Sequence, residues 1–194
     1  MTLLSAFRLW PSVAEKTMPN TVYFDLETQR SATEVGGWHR KRDMKMSVGV
    51  TFSTVDGQYK IYDEAHVNDL VKQLMRAALV VGFNIINFDY EVLHGYTPLD
   101  LREIPTLDLM ADLETKLGHR ISLDAVAKAT LSAPKIADGM QALRWWQEGR
   151  IMEIAEYCCF DVKITKELHE FGKRRGEVYF VDRLGQRRTV KVKW

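Results

Sequence analysis

The strongest constraint on this chain is the placement of four acidic residues inside stretches that otherwise read as core. Asp25 and Glu27 fall in TVYFDLET, Asp89 ends GFNIINFD, and Asp161 interrupts EYCCFDVKITKEL. A carboxylate among buried side chains costs on the order of several kcal/mol unless positive charge compensates it. Any architecture for the chain must therefore give these four a common reason to be buried. Convergence supplies one, because an all-oxygen cage of hard ligands suits Mg²⁺ or Mn²⁺.

The surrounding patterns say which elements carry the acids. Thr21 to Leu26 is apolar and β-prone, and the two-residue repeat of a strand puts Asp25 and Glu27 on one face. A polar loop, Thr28 to Met46, follows. Ser47 to Ser53 and Gln58 to Tyr62 read as strands joined around Asp56-Gly57, a hairpin signal. Val67, Leu70, Val71, Leu74 and Met75 recur at helical spacing. Ala78 to Phe83 is a short apolar run suited to a buried strand, Phe88 to His94 a short helix, and Ile104 to Leu109 a fifth strand. Ser122 caps a helix over Leu123 to Leu131. Further helices are expected over about Ala137 to Gln147 and Met152 to Phe171, and a final hairpin turns near Leu184-Gly185-Gln186. A meander followed by crossover units predicts an α/β fold: a mixed sheet of three meandering strands plus parallel strands, flanked by helices, with the first strand central.

Hydrophobic content of 46% and charged content of 27% exclude a disordered chain, and no stretch reaches transmembrane length. The net charge of +1 conceals an asymmetry. Eight basic residues against Glu177 and Asp182 leave +6 after Gly172, so the remainder carries −5. A basic end on an acidic body can meet a polyanion at one place. Cys158 and Cys159 are adjacent, unsuited to a disulfide or a zinc site, and MTLLSAFRLWPS lacks a basic leader pattern. The expected setting is reduced and cytoplasmic, with no membrane partner. The expected organisation is a lead-in over 1–20, one domain over 21–172 and a basic β-hairpin extension over 173–194.

Tyr157 and Asp161 stand four residues apart, so on a helix they share a face. With Asp-x-Glu in FDLET, Asn84, Phe88 and Asp89 in GFNIINFD, and Tyr-x₃-Asp in YCCFD, the chain resembles the tyrosine subgroup of the DEDD 3′→5′ exonucleases, which have an RNase H-like fold. The stretch ISLDAVAKATLSAPK, a helix and then EYCCFDV is similar to the YprB-type RNase H-like exonuclease group. The resemblance covers Thr21 to about Phe171. It implies two bound ions, Mg²⁺ or Mn²⁺, with Asp25 bridging, Glu27 and Asp161 completing the water-side ion, and Asp89 holding the second directly or through water. It implies that Tyr157 orients the attacking water, since a phenol with an ordinary pKa near 10 is a poor base at neutral pH. It also implies a single-stranded DNA or RNA substrate cut to nucleoside 5′-monophosphates, with a helicase or polymerase as a conceivable partner on another chain.

Each residue also has a plainer reading. Asp25 and Glu27 could be solvent-facing acids at a strand end, and Asp89 a helix cap. Asp108 suits a cap for the next helix better than the site, and Asp124 and Asp138 read as caps. The five histidines show no metal-ligand spacing. Trp145 and Trp146 could stack on bases, although beside Leu143 at least one belongs to the core. Asn84 and Phe88, with Trp38, Arg40 and Arg42 of the loop leaving the first strand, are the candidate substrate contacts; Lys41 shares that basic cluster, and Lys135 is a weaker candidate. Two other functions fit the residues: a structure-selective RNase H-like endonuclease, and a non-catalytic nucleic-acid-binding accessory module.

Overall fold

The alternation along the first strand organises the molecule. The computed structural model describes residues 19–133 and 139–194. In chain order the elements are β1 (Thr21–Thr28), β2 (Met46–Ser53), β3 (Gln58–Asp63), α1 (Val67–Met75), β4 (Leu79–Gly82), α2 (Asp89–Leu93), β5 (Thr106–Asp108), α3 (Leu109–Leu117), α4 (Leu123–Leu131), α5 (Gly139–Gln147), α6 (Ile151–Arg175), β6 (Glu177–Val181) and β7 (Arg187–Lys191). Five strands form one sheet in the order β3-β2-β1-β4-β5, with β1 central as the sequence predicts. β1 runs antiparallel to β2 and parallel to β4, which in turn is parallel to β5.

Successive residues of β1 face opposite layers. Val22, Phe24 and Leu26 pack with Leu70 and Leu74 of α1 and with Tyr90 of α2. Tyr23 packs on the other side with Val48 and Val50 of β2 and with Cys158, Val162 and Leu168 of α6. Asp25 and Glu27 continue the Tyr23 side, so they lie under α6. Full burial of one such aliphatic side chain is worth roughly 1.5–3 kcal/mol, which makes the strand's register costly to slip.

Two differences from the sequence reading have local causes. No bounds for α3 were legible, because Asp108 is at once the last residue of β5 and the N-cap of α3, leaving no turn residues between them. The last long helix continues beyond Phe171 to Arg175 and stops at Gly176, whose φ of 67° is the left-handed cap conformation. Lys173, Arg174 and Arg175 occupy that final turn, where the helix dipole favours cations. The division expected at 172/173 thus falls inside a continuous helix.

β6 and β7 form a separate two-stranded sheet and do not extend the main one. Val178 and Val190 are buried beneath the hairpin, and Thr130 of α4 accepts a hydrogen bond from the Tyr179 N–H at 2.9 Å. Trp194 then packs against α6 at Gly172, where any Cβ would collide with its ring, and its indole N–H donates to Asp112 at 2.7 Å. No helix among the described residues is long and apolar enough to cross a membrane.

Candidate active site

β1 outruns its parallel neighbour, and the acidic cluster occupies the vacated space. Pairing between β1 and β4 ends at Tyr23 and Val81, whereas β1 continues to Thr28. The Leu26 N–H beyond that point is met instead by the Asp89 carboxylate at 3.0 Å. Asp89 opens α2 and is only 2% exposed, so this bond replaces a missing strand partner.

Across the sheet, α6 delivers Tyr157 and Asp161 on one face. Carboxylate oxygens of Asp25, Glu27 and Asp161 lie within 4.8 Å of one another. None of these three, nor Asp89, forms an ion pair with a lysine or arginine among the described residues. Burial, followed by repulsion from Asp89, Asp161 and Glu27, pushes the Asp25 carboxyl well above its ordinary range. Burial and the charges of Asp161 and Asp89 do the same to Glu27. Burial raises Asp89 to about 8 despite its backbone hydrogen bonds, and raises Asp161 to about 6 despite a hydrogen bond from Tyr157. Asp25, Glu27 and Asp161, held together against repulsion with no lysine or arginine paired to them among the described residues, could hold a metal ion.

Burial and the charges of Asp161, Glu27 and Asp25 raise the Tyr157 phenol far beyond its usual range, so it remains protonated. Trp145 stands edge-on against its ring at a centroid distance of 6.4 Å. Both tryptophans are half-buried against the α6-side core. Cys158 is a residue the sequence reading passed over. Its thiol is fully buried and donates toward Asp25 Oδ2 at 3.3 Å and toward the Asp25 carbonyl at 3.4 Å. The adjacent-cysteine pattern carried no signal for this, because Cys158 and Asp25 are 133 positions apart. Asp124 is likewise not the cap that its sequence position favoured. Ser122 caps α4, and Asp124 sits in the first turn, close enough to help raise Asp161.

Asp108 caps α3 and also fastens the loop behind the site. Its carboxylate accepts from the N–H groups of Met110 and Ala111 and from those of Asn84 and Ile86, the latter at 2.7 and 3.0 Å. Asn84 is thereby held at a φ of 70°. Gly82 allows this loop to approach β1, since a Cβ there would stand 2.9 Å from the Phe24 carbonyl and clash with Ile85.

Two clefts open beside the carboxylates. One, of ≈680 Å³, is lined by Asp25, Glu27 and Asp89 together with Arg30, Trp38 and Phe88. The other, of ≈550 Å³, shares Trp38, Asn84 and Phe88 and adds Lys41, Asn87 and Arg120. Trp38 is 65% exposed and meets Phe88 edge-to-face at 6.3 Å. Arg40 and Arg42 line neither cleft: Arg40 pairs with Asp43 at 2.7 Å and Arg42 with Glu91 at 3.8 Å. Lys41 of the same expected cluster does line the smaller cleft, and Arg30 and Arg120, which the sequence did not single out, join it at the two clefts. Met140 and Leu143 of α5 also reach the larger cleft, while Lys135 and Asp138 lie outside the described residues.

A sequence model of the RNase H superfamily matches residues 22–171. Among solved structures, the family B DNA polymerase from the hyperthermophilic archaeon Pyrobaculum calidifontis is similar, with a TM-score of 0.59 at 16% identity. The similarity covers 80% of this chain but only 24% of the polymerase, so it speaks to the fold. No curated protein matches the chain.

Proposed function

Because this chain belongs to the RNase H superfamily, we propose that its carboxylate cluster is the active site of a metal-dependent 3′→5′ exonuclease of the DEDD tyrosine subgroup, acting on single-stranded DNA or RNA. The observation that carries this reading is the meeting of Asp25, Glu27 and Asp161 from β1 and α6, beside a protonated Tyr157. Glu27 and Asp161 would complete the site of one ion, Asp89 would hold a second, and Asp25 would serve both. Bound there, Mg²⁺ or Mn²⁺ would supply Lewis-acid polarisation of the phosphate and a water of lowered pKa.

The protein's own groups do the rest. The Tyr157 hydroxyl, kept neutral by its surroundings, donates its one proton to Asp161 and, with that carboxylate on an ion, would turn it to water or phosphate without accepting a proton. Asp108 fixes the loop from which Asn84 faces the cleft. Trp38 and Phe88 offer faces for base stacking, worth about 1–3 kcal/mol per base. Arg30, Lys41 and Arg120 supply positive charge for phosphates. Hydrolysis at the 3′ end would release nucleoside 5′-monophosphates.

A denaturing-gel time course on 5′-labelled single-stranded DNA and RNA tests this, with Mg²⁺, Mn²⁺ or EDTA and beside Asp25→Asn. A ladder shortening from the 3′ end, lost with EDTA and in the variant, is expected. Cleavage of a circular strand would turn the reading to an endonuclease, and intact substrate throughout would turn it to a binding module.

A further inference from the structure

The β6–β7 hairpin is a charged feature that the active-site reading leaves unused. Its own acids are already engaged: Asp182 with Arg188 at 2.6 Å, and Glu177 with Lys191. The basic last turn of α6 is accounted for by the helix dipole. Lys193, beyond β7, and Arg183 and Arg187 at the turn end remain, exposed and forming no ion pair among the described residues. The two arginines sit on a fixed frame. Asp182 accepts from the N–H groups of Leu184 and Gln186 at 2.9 Å, which shapes the turn, and the Arg187 guanidinium lies 3.9 Å over the Tyr179 ring. An arginine stacked in this way is ordered before it meets a phosphate.

One face of β6 adjoins the segment that leads to the cleft. Phe180, next to Val181 at the close of β6, meets the His119 ring edge-to-face at 6.4 Å. The next residue, Arg120, donates to Asn84 at 2.7 Å and lines the smaller cleft. Arg187 pairs with Val181 and lies over Tyr179, so it projects from the hairpin face opposite the Phe180–His119 contact.

We infer that the hairpin is a second nucleic-acid contact, in which Arg183 and Arg187 hold backbone phosphates of the same single strand at a distance from its cleaved end. This rests on the nuclease reading for the identity of the strand. Charge complementarity selects a phosphate backbone over an apolar partner, and the hairpin covers no sheet edge by pairing.

The test compares wild type with Arg183→Ala/Arg187→Ala. Binding of a labelled single-stranded 20-mer is followed by anisotropy in EDTA across a salt series, and cleavage of a trinucleotide is followed in Mg²⁺. Each lost phosphate contact flattens the log–log salt slope by about 0.7 for a single strand, so the double variant should be shallower by about 1.4. It should still cut the trinucleotide, which is too short to reach the hairpin. Unchanged slope and affinity, or no binding of the 20-mer by wild type, would overturn the inference while leaving the nuclease reading standing if the trinucleotide is cut. Hairpin-dependent binding with no cleavage by wild type would sink the nuclease reading and keep the hairpin as a nucleic-acid surface.

Discussion

Without metal, the acidic cluster should destabilise the protein that contains it, and Asp161→Asn exposes the effect. The Asp161 carboxyl moves from an ordinary 3.8 to about 6, chiefly through burial. Between those values the folded chain retains a proton that the unfolded chain has released, so stability declines as pH rises through the window. The full cost, reached above about pH 6, is about 2 pKa units or ~3 kcal/mol, an upper bound because solvent reaches part of the carboxylate. Asparagine keeps the shape and can still accept from Tyr157, while relieving the repulsion that Asp161 exerts on Asp25 and Glu27. In EDTA at pH 7.5 the variant should melt as much as about 6–12 °C above wild type, at roughly 2–4 °C per kcal/mol for a chain of this size. At pH 3.5, where both forms are neutral, the gain should vanish. Saturating Mg²⁺ should raise the wild-type melt more than that of the variant, which keeps Asp25, Glu27 and Asp89 but lacks one ligand. Thermal melts followed by circular dichroism at both pH values would decide. A variant less stable than wild type at pH 7.5 in EDTA, or equally stabilised at pH 3.5, would refute the electrostatic argument.

Tyr157→Phe should slow turnover while leaving Mg²⁺ affinity within a few-fold of wild type, because the phenol acts on water or phosphate and holds no ion; calorimetric loss of metal binding together with activity would count against that role. Cys158→Ala removes the thiol that donates to Asp25 and should lower metal affinity or activity by about 10–100-fold, the usual effect of losing a group that orients a ligand, with Cys158→Ser recovering part of it. Equal activity in all three proteins would show that the thiol merely fills space. Asp108→Ala strips acceptors from four backbone N–H groups and should cost at least about 2 kcal/mol in urea unfolding, with substrate KM rising as the Asn84 loop loosens. An unchanged midpoint would mean that water replaces the carboxylate without penalty.

Local periodicity determined a good deal. The two-residue repeat of β1 put Asp25 and Glu27 on one face, helical spacing put Tyr157 and Asp161 together, and Asp56-Gly57 closed the β2–β3 hairpin; these are short-range consequences of backbone geometry. The apolar runs around the acids signalled burial without naming its cause. What tertiary structure alone decided involves partners far apart in the chain. Asp89 answers a backbone N–H of β1 63 residues away because β4 stops short, and Cys158 reaches Asp25 across 133. The arginines show the same division. Sequence placed a basic cluster after β1 and put Asp43 three residues from Arg40, but only packing paired Arg42 with Glu91 and brought the distant Arg120 to the cleft. Charge type is written in sequence. Which charge is neutralised and which faces the cleft depends on neighbours that only the folded chain brings within a few ångströms.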